Sequence, residues 1–146
     1  MLLGGSIFDN AAYVTVGAPD IVRQVRQRLS HGSEATLAVA DGSMTRAVRE
    51  QLLRLPAEAM HLVVGAGGND ALNSSDLLTT PVCSTAEALL GLADIGDEFE
   101  RGYLAMLAKA LAHGLPTAVC TVYFPRFPEV ALQTMAVTAP GVFKYP

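Results

Sequence analysis

His61-Leu62-Val63-Val64-Gly65-Ala66-Gly67-Gly68-Asn69-Asp70 is a short apolar run that empties into a glycine-rich loop. A brief run rich in β-branched residues and closed by glycine fits a strand buried on both faces, the usual condition in a parallel sheet. The same unit recurs on either side of it. Upstream, strands are expected over Met1–Gly5 and Ala35–Ala40, the second stopping at Asp41-Gly42. Downstream, one is expected over Thr117–Phe124.

Amphipathic stretches lie between these runs. Pro19 and Asp20 open a helix through Leu29, with Ile21, Val22, Val25 and Leu29 on one face, and His31-Gly32 ends it. A second helix covers Met44–Leu55, with Val48, Leu52 and Leu55 at helical spacing and Pro56 as its stop. Two further helices are expected, over Ser84–Leu92 and over Asp97–Ala112. The second would turn Phe99, Tyr103, Met106, Leu107 and Ala110 inward and end at His113-Gly114. A last helix would start at Pro128 and bury Val130, Leu132 and Met135, until Pro140-Gly141 breaks it. Strands alternating with helices read as an α/β fold, a doubly wound parallel sheet of four strands. A single domain is expected over residues 1–139, with 140–146 as an irregular tail.

Composition narrows the function classes. The chain has 146 residues, 51% apolar and 16% charged, which suits one globular domain. A net charge of −4 gives no electrostatic footprint for nucleic acid or an anionic membrane. No run is long enough to span a bilayer, and no basic stretch followed by a long apolar run opens the chain. Cys83 and Cys120 match no metal or redox spacing. The expectation is a cytoplasmic protein without cofactor or metal.

In a doubly wound sheet, ligands bind in the crevice at the carboxyl ends of the strands. The loops there are Ser6–Asn10, Asp41–Ser43, Gly67–Asn73 and Phe124–Phe127. Ser6 follows Gly4-Gly5 on a tight turn that can aim its hydroxyl into the crevice; the common alternative for such a serine is a helix N-cap. The loop from Gly65 to Asp70 fails as a dinucleotide fingerprint, because its last position is Asp70 and it follows an internal strand. It suits anion stabilisation better. Its glycines bring backbone N–H groups close, and Asn69 offers a side-chain donor of the kind that stabilises a tetrahedral oxyanion. The alternative is a turn whose Asn69 and Asp70 cap the next segment.

Taken together, the loops resemble the SGNH/GDSL serine hydrolases. Gly4-Gly5-Ser6-Ile7-Phe8-Asp9-Asn10 is similar to that family's first block, in members reading G-D-S-I-F-D-N. Asp41-Gly42-Ser43-Met44-Thr45 resembles the second block, and Gly67-Gly68-Asn69-Asp70 the third, G-x-N-D. The resemblance extends to about Ala139 and includes Tyr123-Phe124-Pro125-Arg126-Phe127-Pro128. It implies a three-layer, flavodoxin-like α/β/α fold and hydrolysis of carboxylic esters or acyl groups through an acyl-enzyme, with a small-molecule ester as substrate. Ser6 would be the nucleophile. The N–H groups of Ser6 and Gly42 would form the oxyanion hole with the Asn69 side chain, supported by Gly67, Asp70 and Asp9.

The pattern breaks in two places. Gly5 stands where the family usually has aspartate. The closing D-x-x-H block, which supplies the histidine base and its aspartate partner, occurs nowhere in the sequence. His31, His61 and His113 each sit at a helix end or strand start, on the side expected to lie opposite Ser6. Losing the histidine of a serine triad costs about 10⁶ in turnover. The resemblance therefore implies a C-terminally truncated or frame-shifted member, lacking its fifth strand and closing helix. Thr117–Phe124 would then be an apolar open edge, favouring self-association through that strand or an exchanged last helix. Two other readings stand beside the hydrolase: a module that binds a small anion or carboxylate without chemistry, and an inactive fragment.

Overall fold

In the computed structural model, residues 1–39 and 42–122 are described. Three parallel strands, β1 (Leu2–Gly4), β2 (Leu62–Gly65) and β3 (Thr117–Val119), form one sheet in that order. The β1–β2 register pairs Leu2 with Val63, Leu3 with Val64 and Gly4 with Gly65; β3 continues it with Ala118 against Val63. The protein is mixed α/β, with the parallel pairing that the alternating apolar runs imply.

Of the strand expected over 35–40, the described residues, which run to Val39, form one parallel bridge, Leu37 to Leu2. Its ladder consists of Leu2 N donating to Thr36 O (2.9 Å) and Ala38 N donating to Leu2 O (3.1 Å). Gly4 N, which a continued ladder would pair with Ala38 O, goes to a side chain instead, as described below. The strand expected over 117–124 closes as β3 at Val119, although Cys120 N still donates to Val64 O at 2.8 Å. Tyr123 to Phe127, the helix expected from Pro128 and the tail from Pro140 lie outside the described residues, as does Asp41.

Among the described residues, four α-helices flank the sheet: α1 (Ile21–Arg26), α2 (Thr45–Leu52), α3 (Gly68–Asn73) and α4 (Thr85–Leu111). The Asp20 carboxylate caps α1 by accepting from Arg23 N at 2.7 Å. α1 and α2 are each about one turn shorter than their apolar spacing suggests, since Leu29 and Leu53 face solvent and gain nothing from a longer helix. The larger correction is α4. Two helices were expected, over 84–92 and 97–112, and the chain forms one of 27 residues. Ser84 Oγ accepts from Glu87 N (3.1 Å) and the Glu87 carboxylate accepts from Cys83 N (2.7 Å), a reciprocal start close to a capping box. The apolar series Ile95, Phe99, Tyr103, Met106, Ala110 holds one buried helical phase, and its burial outweighs the cost of about 1 kcal/mol for Gly96 inside the helix.

The core divides across the sheet. Leu3, Leu62 and Val64 point to one face, where Val48 and Leu52 of α2 meet Phe99, Tyr103, Met106 and Ala110 of α4. Leu2 points to the other face and packs with Phe8 and with Val22 of α1. Alternating strand residues thus bury into opposite layers. None of the described helices is long and apolar enough to cross a membrane.

Candidate functional site

Every feature of the site follows from how β1 and β2 end. Gly4 has φ +131°, and a Cβ built there would overlap the Gly65 carbonyl, coming 2.6 Å from its carbon. Only glycine lets the strands approach so closely at this pair. Gly5 N then donates to Gly65 O at 3.1 Å, and the chain turns at once. The Gly5 carbonyl accepts from Phe8 N (3.1 Å) and Asp9 N (3.5 Å), which puts Ser6 and Ile7 at the apex. Phe8 folds back onto Gly65, where a Cβ would lie 2.8 Å from its ring. Asn10 Oδ1 accepts from Ile21 N at 3.0 Å and ties the end of the loop to α1.

Ser6 is half-buried in this turn and caps no helix; its hydroxyl makes no hydrogen bond among the described residues. Asp9 is half-buried and likewise makes no side-chain hydrogen bond among them. Gly67, at φ +113°, turns the end of β2 into α3 and is the N-cap of that helix. The stretch read as a loop over 67–73 is therefore helical from Gly68. A Cβ on Gly67 would meet Val122 Cγ2 at 3.0 Å and the Phe99 ring at 3.2 Å.

The first turn of α3 reaches across to the second loop. Asn69 Nδ2 donates to Ser43 O at 3.0 Å. The Asp70 carboxylate accepts from Thr45 N at 2.9 Å and from Thr45 Oγ1 at 2.8 Å. The N-cap of α2, Met44, has no side chain able to cap, so Asp70 satisfies that helix start from 25 residues away. The alternative, that Asn69 and Asp70 cap the segment following their own loop, is not what forms: Asn69 holds Ser43 and Asp70 caps the start of α2. Gly5 completes the junction, because a Cβ there would lie 3.0 Å from Ser43 O and 3.1 Å from Asn69 Nδ2. A primary amide has two N–H donors, and Ser43 uses one of them.

Three of the four sequence-derived loops thus meet: Gly5-Ser6 after β1, Gly42-Ser43 before α2, and Gly67-Asn69 after β2. Gly42 is exposed at φ +74°. The histidines are not brought to this end. His61 directly precedes β2, where its carbonyl accepts from the Met1 amine at 2.7 Å, and desolvation holds that amine below its ordinary pKa. His113 ends α4 just ahead of β3, and His31 lies in the turn before the Thr36–Ala38 pairing with Leu2. All three are exposed where the strands begin, the far end of parallel strands from Ser6. Among the described residues no three His, Cys, Asp or Glu side chains gather as metal ligands.

Two residues of the site were not singled out from the sequence. Thr45 and Gln51 are both 6% exposed, on the same α2 face as Val48 and Leu52. Gln51 accepts from Gly4 N at 2.7 Å through Oε1 and donates to Gly4 O at 2.8 Å through Nε2. The available signal was a polar residue within the apolar stripe of an amphipathic helix, since a buried polar group needs a partner. Comparison of the chain with protein-family models, with curated proteins and with solved structures finds no match.

Proposed function

We propose that this chain carries the nucleophile and oxyanion half of an SGNH/GDSL-type serine ester hydrolase. The observation that carries the reading is the meeting of Gly5, Ser43 and Asn69 beside Ser6, because three separate loops contribute one block each. The sheet order is compatible with it: with the Leu37 bridge beside β1, the order runs second, first, third, fourth, as a flavodoxin-like sheet begins. On this reading the Ser6 hydroxyl attacks an ester carbonyl. The tetrahedral oxyanion is then held by the N–H groups of Ser6 and Gly42 and by Asn69 Nδ2. The Ser6 proton passes to solvent water, the bond to the leaving group breaks and that group departs as an alcohol on taking a proton from water. A second water then attacks the acyl carbonyl, releasing the carboxylic acid and restoring the Ser6 hydroxyl.

With no histidine at this end among the described residues, Ser6 lacks the base that raises its nucleophilicity. An oxyanion hole without a functioning triad retains about 10³–10⁴ over water. The test is hydrolysis of p-nitrophenyl acetate by the wild type and by Ser6→Ala, with fluorophosphonate labelling mapped by mass spectrometry. A slow rate that Ser6→Ala abolishes, with label on Ser6, is the expected result. Equal rates and an unlabelled Ser6 would sink the reading.

The placement of the three histidines favours a second reading, a crevice that binds a small carboxylate without chemistry. Its donors would be the same Gly42 and Asn69 groups. Acetate would then raise the melting temperature in proportion to its occupancy while Ser6 stays unlabelled.

A further inference from the structure

Gln51 occupies the position that a strand would otherwise fill. In a parallel ladder the N–H and C=O of one residue face the same neighbour, and alternate residues face the same side. Leu2 spends both groups on Thr36 and Ala38. Gly4, two residues on, therefore faces that side too, and both of its groups are taken by the Gln51 side chain. A primary amide presents a carbonyl and an N–H side by side, much as a peptide group does. It takes Gly4 N, which a continued ladder would pair with Ala38 O.

We infer that Gln51 is a positioning residue for the Ser6 turn, acting as a substitute strand whose side-chain amide holds both backbone groups of Gly4. Gly4 is the last residue of β1 and lies two positions before Ser6, so its orientation sets where the turn points. Gly5, the next residue, lies against Ser43 O and Asn69 Nδ2, so the same hold reaches the junction. The amide is buried, has a partner at both Oε1 and Nε2, and touches neither Ser6 nor Asn69 by a described hydrogen bond, so its influence on chemistry is indirect. The role as support for a nucleophile rests on the serine hydrolase reading; the hold on the turn does not.

The test combines backbone amide exchange by NMR with fluorophosphonate labelling, on the wild type, Gln51→Leu and Gln51→Glu. Loss of the amide strands the Gly4 N–H and C=O without partners. Exchange at Phe8 and Asp9 should rise on the order of tenfold to a hundredfold, while Leu62 and Cys120 on the β2–β3 side keep their protection. Gln51→Glu keeps an acceptor for Gly4 N, but its carboxylate repels Gly4 O. It should loosen the turn at neutral pH and tighten it again on acidification, when the protonated carboxyl regains a donor. That recovery separates the hydrogen-bond role from simple loss of fold, and it applies even if Gln51→Leu does not fold. Labelling of Ser6 should slow in step with the exchange. Unchanged exchange at Phe8 and Asp9, or a uniform loss that includes Leu62 and Cys120 with no acid recovery, would overturn the inference. A wild type that never labels would overturn the nucleophile reading, and the exchange data would still decide whether Gln51 holds the turn.

Discussion

Replacing Gly4 by alanine should be among the most damaging single-methyl changes available to this protein. Two costs combine at this position. The φ of +131° is one that L side chains rarely adopt, and holding such a residue there costs of order 1–3 kcal/mol. The new Cβ also overlaps the Gly65 carbonyl, which is backbone and cannot rotate away. Relief requires β1 and β2 to part at the Gly4–Gly65 pair, weakening the Gly5 N to Gly65 O bond of 3.1 Å. With overpacking at about 1–3 kcal/mol and one strained hydrogen bond added, the total is about 3–6 kcal/mol. Gly32 is the internal control: its φ is +87° and a Cβ there meets nothing within 4 Å. Gly32→Ala should cost about 1 kcal/mol, the left-handed penalty less the entropy that alanine removes from the unfolded chain. Urea unfolding followed by far-UV circular dichroism gives both values by linear extrapolation, provided the slopes agree. For a domain of this size the difference appears as a melting-temperature drop of at least about 6 °C beyond the control. Equal costs for the two substitutions, within 1 kcal/mol, would refute the claim that close strand approach demands glycine at position 4.

Asp70 and Thr45 form the other test of the junction. Asp70→Ala leaves the Thr45 N–H and hydroxyl unpartnered and should destabilise by about 2 kcal/mol; a double-mutant cycle with Thr45→Val should give coupling of about 1 kcal/mol, and additive effects would show that the two do not act together. The continuity of α4 is tested by Asp94→Pro, an exposed position inside the helix. It should cost about 3 kcal/mol, whereas a proline tolerated without loss in urea unfolding would restore the break between two separate helices.

The α/β class and the parallel pairing are legible along the chain, because short apolar runs closed by glycine and separated by amphipathic stretches suit strands buried on both faces beneath crossover helices. The sequence also marked the loops that meet, since Gly4-Gly5-Ser6, Gly42-Ser43 and Gly67-Gly68-Asn69 are places where the backbone must turn sharply or approach closely. The two helices expected over 84–92 and 97–112 are one, because the apolar phase from Ile95 to Ala110 is buried within a single helix. Which partner each polar group takes is not legible in the sequence. Asp70 caps a helix 25 residues away, and Asn69 spends an N–H on Ser43. Gln51 takes both backbone groups of Gly4, as a neighbouring strand would. Hydrophobic period is a property of neighbouring residues and is legible along the chain. A buried hydrogen bond between residues 47 positions apart depends on where the folded backbone leaves an unsatisfied group, and that is fixed only once the sheet and its helices have closed around it.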